Sequence, residues 1–170
     1  MVKRIKRAHK LMNLVGNKQA VKAGVFADAT YPDGTSVAQA AFWNEYGTST
    51  TRPRPFFRNG VNGNRENWKN TLIESMKATD FDVQKSLGLV GEQMADNLRE
   101  SILKGGFAQN SPVTLLLKDR FPMGDYTAKD YWQAIDDVEK GMSAGGGNSK
   151  PLVWTGTLLR SISYKVEDES

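Results

Sequence analysis

Between residues 41 and 60 the chain reads AFWNEYGTSTTRPRPFFRNG, which sets Phe42, Trp43, Tyr46, Phe56 and Phe57 beside Arg52, Arg54 and Arg58. Aromatic rings stack on bases and guanidinium groups meet phosphates, so this mixture is one chemistry for gripping nucleic acid. The same residue types make protein-binding hot spots. They also make a tight turn over a packed core, and spacing is what separates the three.

Other chemistry is sparse. Residues 141–145, GMSAG, match the G-x-S-x-G pattern of a serine nucleophile. That chemistry needs Ser143 on a strand-to-helix turn with a histidine as base. Here the pattern opens into a glycine run, and the only histidine is His9, between Arg7 and Lys10 in a basic leader. Asp136 and Asp137 are adjacent, so on a helix they point different ways and read as surface charge. With no cysteine, there is no thiol nucleophile, disulfide or cysteine-ligated zinc. No catalytic residue, metal or cofactor is expected, and the chain reads as a non-enzyme.

The elements that position these residues follow from periodicity and turn chemistry. Residues 19–27 alternate Val21, Ala23 and Val25 with more polar neighbours, a strand signal. YPDGTS supplies a turn and Ser36 as a helix cap. A helix over 37–46 follows, ended by Gly47. Ala38, Phe42 and Tyr46 recur on it every four residues, which predicts an inward stripe, and Glu45 falls in the same stripe. A buried carboxylate needs a partner; the expectation is an ion pair with Arg52 or Arg54 that fixes the loop, with Pro53 and Pro55 holding it extended. The stretch then reads mainly as a structural corner, with Arg52 and Arg58 as spare cations.

A helix is predicted from Pro55 towards Lys77, with Val61, Trp68, Leu72 and Met76 along it. The strongest periodicity runs from 83 to 104, where Val83, Leu87, Val90, Met94, Leu98 and Ile102 share one face. Gly91 lies beside that face, as close approach of another element would require. Thr127 and Asp130 have capping-box spacing, with Tyr131, Ile135 and Val138 as an apolar edge. MSAGGGNSKP has linker composition. Residues 107–149 therefore read as a peripheral excursion. Thr155 is a cap candidate for a short helix carrying Leu158 and Leu159, and Ile162, Tyr164 and Val166 alternate as a closing strand.

The fold class expected is α+β: one domain over 1–170, with a small mixed or antiparallel sheet packed on two long helices. An apolar share of 39% suits a globular chain rather than a disordered one. No apolar run approaches the ~18 residues of a membrane span, and no membrane partner is expected. Net charge is only +4, yet seven cations and no acid precede Asp28. Lys3, Arg4, Lys6, Arg7 and Lys10 in the 1–18 leader are candidate contacts for DNA or an acidic partner, together with Arg52 and Arg58. Simple solvation of the leader is the competing reading.

Two stretches together resemble a known family. NEYGT (Asn44, Glu45, Tyr46, Gly47, Thr48) followed by RPRPFFR (with Arg54, Pro55, Phe56 and Phe57) is similar to elements of the virion-morphogenesis proteins of Mu-like and related tailed bacteriophages. KPLVWTGTLLRSISYKV, with Thr155, Gly156, Leu158, Ser161 and Ile162, resembles that family's C-terminal motif. GGFAQNSPVTLLLK, residues 105–118, resembles the loop before it. The resemblance implies a non-enzymatic virion protein, assembled in the host cytoplasm and placed at the head–tail junction as a tail-completion, neck or collar ring. Its implied partners are copies of itself, the head–tail connector, and tail terminator or tail-tube proteins, with DNA in the channel as a further candidate and no small-molecule substrate. The alternative from another class is a stand-alone basic nucleic-acid-binding protein.

Overall fold

A computed structural model describes residues 18–168; His9 and the leader cations Lys3, Arg4, Lys6, Arg7 and Lys10 lie outside the described residues. The alternation of Val21, Ala23 and Val25 becomes strand β1 (Gln19–Val25), and the closing alternation becomes β2 (Ile162–Asp168). The two pair antiparallel, from Gln19 opposite Asp168 to Val25 opposite Ile162. A two-stranded sheet alone is marginal in water, so its stability depends on what packs beneath it.

Helix α1 (Val37–Tyr46) follows the turn, and helices α2 (Phe56–Ala78) and α3 (Val83–Lys104) are the two long ones. Asp82 caps α3 by accepting the Lys85 amide at 3.1 Å. The expected α3 face is buried at Leu87, Val90, Leu98 and Ile102, joined by Ala95, while Val83 and Met94 are half-buried. Along one flank α3 meets α2. Trp68 Nε1 donates to Asn97 Oδ1 at 2.8 Å, and Ser101 Oγ donates to the Phe56 carbonyl at 2.7 Å. Along another flank it carries the sheet, with Tyr164 and Val21 lying directly over Gly91. Arg99 pins the sheet's lead-in by donating to the carbonyls of Leu159 and Ile162. The architecture is α+β, with the small antiparallel sheet seated on the long helices.

The region 107–149 starts from the main core and continues as two helices with an apolar cluster of their own. Phe107 is buried in the main core with Val37, Phe56, Leu98, Leu158 and Ile162. Ser111 then caps a helix that periodicity did not reveal, α4 (Pro112–Arg120), which packs on α5 (Ala128–Glu139). Leu116, Leu117 and Ala134 form a second apolar cluster between them. Asp137 is not surface charge. One turn beyond Ala134, it is buried, accepts from Gln133 at 2.9 Å and pairs with Arg120 at 2.6 Å. Tyr131, expected on the apolar edge, is exposed.

The capping box at the start of α5 forms as expected. The Thr127 amide donates to Asp130 Oδ2 at 2.8 Å and the Asp130 amide to Thr127 Oγ1 at 3.3 Å. Hydrogen bonds from Thr127 hold the Asp130 carboxyl below its ordinary 3.8, and those from Gln133 and then Arg120 do the same for Asp137. A carboxylate with a lowered native pKa adds stability above its unfolded value, which is lost as pH falls through the native one. Acidification below about pH 3.8 is therefore expected to loosen α5, whose cap and inner ion pair both rest on such carboxylates, before α3, where only the Asp82 cap does and the core face is apolar. Backbone 13C shifts of Ala128–Glu139 moving towards coil at higher pH than those of Val83–Lys104 would bear this out; simultaneous loss would contradict it.

The last helix, α6 (Thr157–Ser161), is short. Thr155 is not its cap residue: Gly156 holds that position in the left-handed conformation, φ 78°, and Thr155 Oγ1 accepts the Thr157 amide from one residue further back at 3.3 Å.

Candidate functional site

Helix α1 presents a different face inward from the one its aromatics suggested. Val37, Ala41 and Glu45 are buried, whereas Phe42 and Tyr46 are each 56% exposed and Trp43 is exposed beside them. The stripe is turned by one residue. Phe42 and Tyr46 pack on each other with ring centroids 4.7 Å apart, and the Arg58 guanidinium lies 5.1 Å from the Tyr46 ring. The outer side of α1 is thus an aromatic row facing solvent.

Glu45 finds its partner one turn into α2, not in the loop. Its carboxylate accepts the backbone amides of Phe57 at 2.8 Å and Arg58 at 3.1 Å, and Arg58 Nε at 2.7 Å. Arg58 Nη2 also donates to the Glu45 carbonyl at 2.9 Å. The expected pairing with Arg52 or Arg54 is therefore corrected to Arg58, which is not a spare cation. The cause lies at the start of α2: Pro55 occupies the cap position and offers no side-chain acceptor, so a carboxylate from α1 receives the first free amides. Anionic charge there also meets the positive end of the helix dipole.

Arg54 makes a different set of bonds. Its amide donates to the Asn44 carbonyl at 2.6 Å and its Nη1 to Asn44 Oδ1 at 3.1 Å. Its Nε reaches the Ala108 carbonyl at 2.9 Å, and Nη2 reaches Gln109 O and Asn110 Oδ1 at 3.2 and 3.3 Å. Gly47 has φ 80°, and a Cβ there would sit 2.8 Å from the Thr51 carbonyl and 2.9 Å from Pro53 Cδ, so the turn admits glycine alone without strain. Thr48 Oγ1 accepts the Thr51 amide at 3.0 Å. Phe56 is buried and Phe57 partly exposed. Arg52 is exposed, with no ion pair among the described residues.

The two motifs meet in one core. Ala41 and Phe56 from the corner cluster with Leu158 and Ile162 from the C-terminal segment, while Ser161 Oγ donates to the Thr157 carbonyl at 2.9 Å. All three segments that carry the family resemblance also border one cleft of about 590 Å³, through Asn44 and Arg54, Asn110 and Lys118, and Trp154 to Leu158. Lys118 was missed by sequence reading; it is 6% exposed at the end of a leucine run. Among the described residues no cluster of three His, Cys, Asp or Glu is placed to hold a metal, and no helix is long and apolar enough to cross a membrane. No family model, curated protein or solved structure matches this chain.

Proposed function

We propose that the chain is a structural subunit of a bacteriophage head–tail junction, a tail-completion or neck protein that assembles with copies of itself and joins connector to tail. The observation that carries this reading is the outer face of α1. Phe42, Trp43 and Tyr46 are exposed together on a helix whose inner face is fastened by Glu45 and Asn44. Exposed aromatics on a rigid support are what the centre of a protein interface uses. The residues that resemble the phage family are the same ones that build and brace that face.

Sedimentation and electron microscopy of the purified chain test the reading. Closed rings are expected, and replacing Phe42, Trp43 and Tyr46 together by serine should give monomers with unchanged circular dichroism. A monomer that binds DNA with steep salt dependence, abolished by removing residues 1–10, would instead establish the stand-alone nucleic-acid-binding protein.

A further inference from the structure

The cleft bordered by the three segments has an electrostatic feature that head–tail joining does not require. Lys118 and Arg54 both line it, and no ion pair to either exists among the described residues. Lys118 Nζ donates to the carbonyls of Lys150 at 2.7 Å and Val153 at 2.5 Å. An ammonium has three N–H groups, so one is left. Arg54 has five, and four are used on Ala108, Asn44, Gln109 and Asn110. Every acceptor is neutral. Two cations therefore border one cleft, partly out of water, each with a donor to spare.

Burial and then the Arg54 charge push the Lys118 ammonium below its ordinary pKa, and burial does the same to Arg54. Like charges in such a place repel, and an anion between them removes that repulsion. The cleft lining also holds a rigid aromatic pair. Tyr126 stacks on Trp154 with centroids 5.3 Å apart and planes within 4°, and Trp154 Nε1 is fixed to the Phe121 carbonyl at 2.8 Å. Asp33 lines the cleft as well, its carboxylate adding to burial in raising the Tyr126 hydroxyl pKa. Anionic charge is thus favoured at Lys118 and Arg54 and opposed near Asp33, while Tyr126 and Trp154 give the cleft a rigid aromatic surface. The volume is of the size that takes a small molecule.

We propose that this cleft binds a small organic anion, its carboxylate or phosphate group seated on Lys118 and Arg54 and its apolar body against Tyr126. The pair also ties residues 108–110 and 150–153 to the frame, but that tie leaves the two donors and the charge unanswered. The inference does not depend on the head–tail reading.

Benzoate, phenyl phosphate and neutral benzamide, titrated at constant ionic strength set with chloride, test it on the full chain. The expected result is saturable binding of benzoate or phenyl phosphate, the stronger of the two identifying the head group. Benzamide should bind at least about tenfold more weakly, the share of a charge-assisted contact. Resonances of Tyr126 and Trp154 should shift on saturation, and the Lys118 side-chain titration should move to higher pH, since an anion favours the charged form. Lys118→Met should weaken binding by at least about tenfold on the same ground. Equal binding of benzamide, or a Lys118 titration unmoved by saturating anion, overturns the proposal. The second readout uses the unaltered protein, so it decides the matter even where Lys118→Met fails to fold.

Discussion

Replacing Glu45 with alanine is expected to destabilise the protein by about 3 kcal/mol, the share of two charge-assisted backbone hydrogen bonds lost at a buried site. For a chain of this size that lowers the melting temperature by about 6 to 12 °C. Glu45 is 4% exposed and its carboxylate accepts the Phe57 and Arg58 amides. Without it those amides, at the start of a helix whose cap position is a proline, have no protein acceptor and only partial access to water. The Arg58 side chain contributes less. It is 51% exposed, and a half-solvated ion pair is worth about 1 kcal/mol or less. Arg58→Ala should therefore cost about 1 kcal/mol, clearly less than Glu45→Ala. Glu45→Gln should fall between them, because one amide oxygen remains while its NH2 group faces a donor. Denaturant melts of the three variants check the order. Arg58→Ala costing as much as Glu45→Ala would show that the ion pair, rather than the capping of α2, holds the corner.

That corner also marks where sequence reading stops. Helix α3 was legible to the residue, from Val83 to Lys104, because its length lets the 3.6-residue period average over several turns. The turn before α1 and the capping box of α5 were legible through local chemistry, and the first and last strands through their two-residue alternation. The phase of α1 was not. Ten residues give fewer than three turns, and Phe42 and Tyr46 drew the expected stripe one position past Val37 and Ala41, although Glu45 was rightly placed inside. What places a carboxylate inside is the open N-terminus of α2, a partner that no period within α1 encodes. Helix α4 had a readable start in Ser111-Pro112, serine at the cap and proline at the first helical position. Its interior hid it, because Leu116, Leu117 and Lys118 are buried in succession. They are enclosed by α5 and by residues 150–153 at once, so no amphipathic period survives. The cleft follows from the same three-sided packing and could not be seen in one dimension.

Two glycines on α3 should answer to the same substitution with opposite sign. At Gly91 an added Cβ would stand 2.3 Å from Tyr164 Cδ2, 2.7 Å from Tyr164 Cγ and 2.7 Å from Val21 Cγ2. None of these is a free end that can swing aside. The Tyr164 atoms lie at the root of the ring, and the valine is stiff at χ1. The sheet must lift from the helix, and overpacking of this kind costs about 1 to 3 kcal/mol even after the helix gains from alanine. At Gly88, one turn earlier on the same helix, the nearest atom to an added Cβ is the Tyr164 hydroxyl at 3.9 Å. There the methyl group meets no resistance, and alanine should stabilise by about 0.5 to 1 kcal/mol through helix propensity. Thermal melts should thus separate Gly88→Ala from Gly91→Ala by about 5 °C or more. In Gly91→Ala, amide exchange should quicken at the pairs Val21–Val166 and Ala23–Tyr164, since the two-stranded sheet is stable only while seated on α3. Gly91→Ala melting at or above the parent temperature would mean that the sheet rides loosely on the helix, and the close packing of Tyr164 and Val21 would lose its role as the anchor of the fold's β-layer.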